Sequence, residues 1–380
     1  MTTRRGARRT TGTTGTTSTA TTAGALALAL ALTGCSAIGG GTADPGAGGT
    51  PSGSGGTGQG GTVTLVTHDS FVLSDGLLEG FTERTGIAVE VVQQGDAGSL
   101  TNGLVLTADA PLGDLVYGVD NTFASRALAA DVLRPVELTA PAAEDARAYA
   151  VEGDEAGALT AIDYSDVCVN VDRAWFAGRG LAEPTTLEDL TRPEYRDLTV
   201  VPSAVTSSPG LAFLLATVGA FGEDGWQGYW QRLVDNGLQV DASWSDAYAT
   251  TFSGGGGGGP RPIVLSYASS PPFTVPEGGT EPTTAALLDT CFRQVEYAGV
   301  LAGAQNPEGA TQLLDFLLSD EVQADVPGSM YVYPVSTSVT LPEEWARWAP
   351  LATEPFAVPA ADVEAHREEW LRTWQDVVTG

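Results

Sequence analysis

Thr62-Val63-Thr64-Leu65-Val66-Thr67, then helix-like spacing over Leu77 to Thr85, then Ile87 to Val92 halting before Gly95, is the stretch that decides the fold class. The two flanking runs are β-branched and short, which is a strand signal. A strand, helix, strand alternation of this length joins parallel strands, and a parallel sheet needs both faces covered. The pattern recurs downstream: Leu100 to Leu106 reads as a helix, Asp114 to Val119 as a strand and Thr122 to Ala129 as a helix. Gly118-Val119-Asp120-Asn121 ends one of these strands, at the edge where ligand-facing loops of open sheets lie.

A second unit begins near Tyr164. Val167 to Val171, Thr199 to Pro202 and Ile263 to Tyr267 read as strands, and Pro209 to Ala220 as a buried helix. The six-glycine run Gly254 to Gly259 reads as an expanded flexible loop, since Pro260 follows it and no phosphate-cradling helix does. Val295 to Ala302 is apolar enough to cross back to the first unit, where Asn306 to Ser319 has amphipathic spacing. In the last segment, Ala361 to Val378, Trp370 and Trp374 stand four apart on one helical face as packing residues. The expected class is therefore α/β, with two lobes joined by crossings near Asp163 to Asp166 and Glu296 to Gly299.

Composition narrows the chemistry. The 380 residues hold 47 acidic and 18 basic side chains, a formal net charge of −29, so a nucleic-acid backbone is repelled. Every basic residue is Arg. Without lysine there is no Schiff-base nucleophile, no Walker A phosphate contact and no lysine general base. Two histidines and three scattered cysteines are too few for a zinc finger or a multi-cysteine cluster, so no structural metal is expected.

The amino terminus carries an export pattern. Arg4, Arg5, Arg8 and Arg9 precede the apolar run Ala23 to Leu32, which falls short of the roughly 20 residues that span a bilayer. Leu32-Thr33-Gly34-Cys35 then resembles a bacterial lipobox, with Cys35 as the lipidated first residue of the mature chain. Residues 1–35 are thus read as a lipoprotein signal and 36–61, rich in Gly, Ser, Thr and Pro, as a flexible tether. Gly53, Gly55 and Gly58 have G-x-G-x-x-G spacing but no strand before or helix after, so they are no dinucleotide fingerprint. Beyond Cys35 the chain has 14 arginines against 47 acids, about −33, a field that favours cationic ligands.

Several local constellations bear on a ligand. Thr206-Ser207-Ser208-Pro209-Gly210 is a helix start whose free amides and hydroxyls serve either capping alone or a bound hydroxyl or phosphate. Trp244-Ser245-Asp246-Ala247-Tyr248 sets two large aromatics four apart. Leu265-Ser266-Tyr267-Ala268-Ser269-Ser270-Pro271 leaves a strand with an aromatic and three hydroxyls. Aromatic faces near carboxylates attract a flat cation by about 0.5–2 kcal/mol, and the same rings also serve as core caps. His68-Asp69-Ser70 holds the residue types of a hydrolase triad, but neighbours on one strand end point in alternate directions. Cys168 and Cys291 either pair or remain buried thiols.

Read in order, these segments resemble the thiamine-binding components of bacterial ABC importers, which are two-lobed solute-binding proteins of the type II periplasmic-binding-protein fold. The matching stretches are Thr67 to Phe71, Gly118 to Asn121, Thr206 to Leu211, Trp244 to Tyr248, Leu265 to Pro271 and Tyr333-Pro334-Val335. The resemblance implies a ligand cleft between lobes spanning 62–163, 164–294 and a return at 295–330, with 331–380 packing on the second lobe. It places Trp244 and Tyr267 by the vitamin's rings, with Ala268, Ser269, Ser270 and Pro271 on the same wall. Ser207 and Ser208 fall at its hydroxyethyl or phosphate end, and Asp96 and Ala97 in the first lobe's contact loop. His68 stands where the family commonly shows tyrosine, with Asp69 beside it; Tyr333 and Asp120 are further wall residues. Implied partners are thiamine or its phosphates, a permease with its ATPase, and the membrane through the lipid on Cys35; no cofactor, no catalytic step and a monomer are expected. Alternatives are another cation, a polyamine or ferric iron through Tyr331 and Tyr333, or an exported hydrolase using Asp69 or Asp163.

Overall fold

The computed structural model describes residues 60–380. The export signal with Cys35, the glycine spacing at 53–58 and the tether up to residue 59 lie outside the described residues. Among those described, no helix is long and apolar enough to cross a membrane.

The opening stretch folds as its pattern requires. Strand β1 (Gly61–Thr67) buries Val63, Leu65 and Val66 and pairs in parallel with β2 (Ile87–Gln93) and β3 (Leu115–Asp120). Helix Leu77–Thr85 connects the first two strands and ends at Gly86, whose φ of 74° closes the turn. Short β4 (Leu133–Arg134) follows, then the long β5 (Thr160–Asp172). The second half adds β6 (Thr199–Pro202), β7 (Gln239–Asp241), β8 (Ile263–Tyr267), the 18-residue β9 (Thr284–Leu301) and β10 (Tyr333–Pro334). These described strands form one sheet in the order β2-β1-β3-β9-β5-β8-β6-β7, with β4 on β9 and β10 on β5.

Two hydrophobic cores grow on this sheet. One gathers Leu65, Val116, Tyr117, Ile162, Tyr297 and Leu313, the other Val169, Leu211, Phe213, Trp230, Leu265 and Trp374. Strands β5 and β9 belong to both. They run antiparallel side by side, and their central partners are Asp163↔Glu296, Tyr164↔Val295, Ser165↔Gln294 and Asp166↔Arg293. Apolar residues fill these strands where a core covers them, and all of the residues in these four central pairs except Tyr164 and Val295 are polar. Arg293 is ion-paired to buried Asp166 there, with a second contact at 3.2 Å. Val332 and Val335 still pack in the first core, so the carboxy-terminal segment reaches the second only beyond them.

Helix Ser208–Phe221 is buried through its first eleven residues, as its apolar run requires. Helix Ala360–Thr379 sends Trp370 and Trp374 into the second core, where Trp374 meets Trp230 edge-on at 5.5 Å. Cys168 and Cys291 form a disulfide between β5 and β9 at the register shift after Val167.

The glycine run is not the free loop its composition suggests. A Cβ on Gly255, Gly257 or Gly259 would overlap the carbonyl oxygens of Tyr248, Ala249 and Thr251, while Gly256 and Gly258 have φ of 91° and 69°. The run is fitted against the π-helical turn Asp246–Thr251 because alternate residues need no side chain and the others need left-handed backbone.

Candidate functional site

The carboxyl ends of β1, β3, β6, β7 and β8 converge where the two cores face each other, the position ligands take in open α/β sheets. His68 and Ser70 follow β1. Asp96 caps helix Ala97–Leu106, accepting from Ala97 N at 2.7 Å. Ser208 opens its helix after β6, Trp244 follows β7, and Tyr267 ends β8.

Asp96 ties the two sides together. One carboxylate oxygen also accepts from Ser208 N at 3.2 Å and the other from Trp244 N at 2.9 Å. Burial pushes its carboxyl upward, opposed chiefly by the bond from Trp244 N. Above it stands an aromatic wall: Trp244 stacks on Tyr248 with centroids 5.0 Å apart and 15° between planes, and meets Tyr267 at 5.9 Å and 59°. The indole is fixed by its Nε1 donating to Ser266 Oγ at 3.1 Å. Only helical spacing brings residues 244 and 248 into this stack.

Glu296 lines the space and lies 3.5 Å from His68 Nε2. Two further buried acids stand outside that lining: Asp163 accepts from the Tyr117 hydroxyl, and Asp120 accepts from Thr122 and Phe123. Gly118, at φ 105°, lets the His68 ring lie against β3; any side chain there would overlap the imidazole. Burial alone lowers the His68 pKa, but the charge and hydrogen bond of Glu296 leave it raised. Burial pushes the Asp120 carboxyl up to about 7, and burial with the Glu296 charge lifts Asp163 well above the carboxylate range. Asp120 Oδ2, Asp163 Oδ1 and the Ser207 and Ser208 hydroxyls have no hydrogen-bond partner among the described residues.

Of the residues expected at a ligand, His68, Asp96, Ala97, Ser208, Trp244, Tyr267 and Ser270 line this space. Asp69, Ser207, Ala268, Ser269 and Pro271 stand outside that lining. Asp69 is half-buried, its amide donating to Gly95 O; Ser207 is wholly buried one residue before the helix. Ala268 packs beside the disulfide, Ser269 Oγ pairs with Ser165 Oγ at 3.0 Å, and Pro271 starts a turn. Tyr331 lines the space, whereas Tyr333 is buried between Tyr164 and Trp345 with its hydroxyl on Ala349 O, so the two tyrosines do not converge. His68, Asp69 and Ser70 form no relay: Nδ1 accepts from the Ser70 backbone, and Ser70 Oγ contacts Asp69 and Ser245. No metal-holding group of three or more His, Cys, Asp or Glu occurs among the described residues.

Sequence reading did not single out Ser70, Pro209, Glu296 or Met330 as lining residues, and named Tyr331 only for the ferric-iron alternative. The signal for Glu296 was present: one acid inside the apolar run Val295 to Ala302. The enclosed space is about 40 Å³, small beside the roughly 300–1,000 Å³ of ligand pockets. An adjoining space of about 480 Å³ shares Trp244, Ser270 and Tyr331 with it.

Comparison with known proteins agrees with this architecture. The chain is 28% identical over 327 residues to the thiamine-binding periplasmic protein of Escherichia coli (strain K12), covering 83% of this chain and 93% of that one. It is 27% identical to the protein of that description from Brucella suis biovar 1 (strain 1330), covering 82% and 91%. Among solved structures, a periplasmic thiamin binding protein superposes with a TM-score of 0.72 at 26% identity, over 83% of this chain and 96% of that one. The ferric binding protein from Campylobacter jejuni shares the fold alone, at TM-score 0.65 and 15% identity over 83% and 99%. The family model for bacterial extracellular solute-binding proteins matches residues 110–353, well over half of the sequence, and to that family this two-lobed α/β chain belongs.

Proposed function

We propose that this chain captures thiamine, or one of its phosphate esters, outside the cytoplasmic membrane and delivers it unchanged to an ABC permease driven by a separate ATPase. The observation that carries this reading is the placement of Trp244 and Tyr267 over buried carboxylates. Ring faces attract a cation through their quadrupole, and a closed cleft strengthens that attraction by excluding water. The similarity to thiamine-binding proteins along most of the chain supports the choice of ligand. Ser208, with a free hydroxyl at a helix start, suits a hydroxyl or phosphate.

In this reading the lobes take residues 62–163 with 295–330, and 164–294 with the carboxy-terminal segment. Ligand shifts an open–closed equilibrium about β5 and β9. Cys35 carries the lipid that holds the mature chain at the outer face of the membrane, and 36–61 serves as its tether. No chemical step is part of the cycle.

Titration calorimetry with thiamine, its monophosphate and diphosphate, spermidine and ferric citrate tests the proposal. Preferential binding of a thiamine species is the expected result. Preference for spermidine or iron, or turnover of ester or glycoside panels, overturns it.

A further inference from the structure

We propose that the carboxyl pair Asp163–Glu296 sets the charge specificity of this cleft by holding one proton that a bound monocation displaces, so that capture of the cation releases a proton. The inference rests on the reading above that the cleft takes a cationic heterocycle.

Asp163 and Glu296 are direct cross-strand partners on β5 and β9. Directly opposed residues of an antiparallel pair project to one face, about 4.5–5.5 Å apart at Cβ. Both are buried, at 0% and 7% exposure. The one group that can bring positive charge to the pair is the His68 imidazole, 3.5 Å from Glu296. Among the described residues neither carboxyl is ion-paired to an arginine, and the chain has no lysine. Asp163 has the Tyr117 hydroxyl on one oxygen and no donor on the other. Glu296 faces Gln294 Nε2 at 3.4 Å and His68 Nε2 at 3.5 Å. Two buried carboxyls opposed on one face of the ladder disfavour a second negative charge, so one proton stays at the pair, and burial with the neighbouring Glu296 charge favours it on Asp163.

The surroundings reinforce this. Asp69 lies beside His68 after β1, Asp96 heads the neighbouring helix, Asp120 and Tyr117 come from β3, and Tyr267 from β8. Arg367, on the carboxy-terminal helix, acts on Asp120 from the Phe123 side. Acids thus outnumber cations around the pair, and the His68 imidazole, held toward its protonated form by Glu296, is the adjacent positive group.

Glu296 lines the space together with Trp244 and Tyr267. A ring cation placed against those rings brings one positive charge beside the pair. The pair then ionises, its O–H bond breaks, and the proton leaves to the buffer. One charge enters and one leaves, so the buried charge is unchanged. A neutral isostere leaves the proton in place and draws nothing from the buried acids.

Calorimetry of the purified chain with thiamine at pH 7, in phosphate and in Tris, counts released protons from the difference in observed heat. The expected count is between about one half and one, with affinity rising by up to about tenfold per pH unit between pH 6 and 8. Glu296→Gln and Asp163→Asn, each checked for a folded circular-dichroism spectrum, are expected to bring the count near zero and flatten the pH profile. His68→Asn is expected to keep the release. Thiamine binding with equal heats in both buffers overturns the proton exchange and leaves the thiamine reading standing. Loss of release in His68→Asn with retention in Glu296→Gln also overturns it. Absence of thiamine binding at every pH overturns both.

Discussion

Asp96 Oδ2 accepts the backbone N–H of Trp244 across 148 residues of sequence at 2.9 Å, joining a helix start of the first core to the aromatic wall of the second. Its other oxygen takes Ser208 N, so one carboxylate fastens two points of the opposite lobe. Charged hydrogen bonds of this kind contribute about 1.5–3 kcal/mol each. Asp96→Ala is expected to weaken ligand binding roughly 10- to 100-fold by favouring the open form, and Asp96→Asn to recover part of it. Calorimetry gives the affinity, and small-angle scattering should show a larger ligand-free radius of gyration for the alanine variant.

Trp244 offers its ring through a stack on Tyr248 and an Nε1 bond to Ser266. Trp244→Ala and Tyr267→Ala are each expected to cost about 1–3 kcal/mol of thiamine affinity, about 5- to 150-fold. Trp244→Phe should fall between. Unchanged affinity in both alanine variants would remove the aromatic wall from the site.

Asp120 ties stability to pH. Its carboxyl is pushed by burial from 3.8 up to about 7 in the folded chain. The stabilising contribution is full below the unfolded value and is lost as pH rises through the folded one. His68, also raised by its Glu296 neighbour, acts in the same direction. Ligand-free protein should therefore melt at a lower temperature at pH 8 than at pH 5. Asp120→Asn should flatten that dependence in differential scanning calorimetry.

The glycine run makes a steric prediction. Gly257→Ala drives a methyl into the Ala249 carbonyl and is expected to destabilise by about 1–3 kcal/mol. Gly228→Ala, in helix Trp226–Asp235 with only Arg232 nearby at 3.9 Å, should instead stabilise by about 0.5–1 kcal/mol. Denaturant midpoints compare the two directly, and equal effects would refute the fitted packing.

The disulfide closes a 123-residue separation, for which chain entropy gives about 3–5 kcal/mol. Replacing Cys168 and Cys291 together by alanine should lower the urea midpoint accordingly. Since both sulfurs are buried, wild-type protein should resist mild reductant until unfolded.

The local elements were legible because each rests on short-range physics. The runs at Val63 to Thr67 and Ile87 to Val92, the helix start at Ser207-Ser208-Pro209, and the facing Trp370 and Trp374 carry periodicity and capping signals that need no distant partner. Trp244 and Tyr248 were readable as a pair for the same reason, since helical spacing alone makes them neighbours.

Sequence by itself thus determined the α/β alternation, the two units, the acidic and lysine-free chemistry, and the aromatic segments of the cleft. Tertiary structure alone decided the rest. Asp163 and Glu296 are 133 positions apart in the chain and become partners only through the β5–β9 register. Pairing of Cys168 with Cys291, and the close fit of the glycine run against Tyr248, Ala249 and Thr251, likewise depend on backbone approach between distant segments. Charge and composition are properties of residues taken singly, whereas a shared proton, a disulfide or a steric limit belongs to pairs that only the folded sheet brings together.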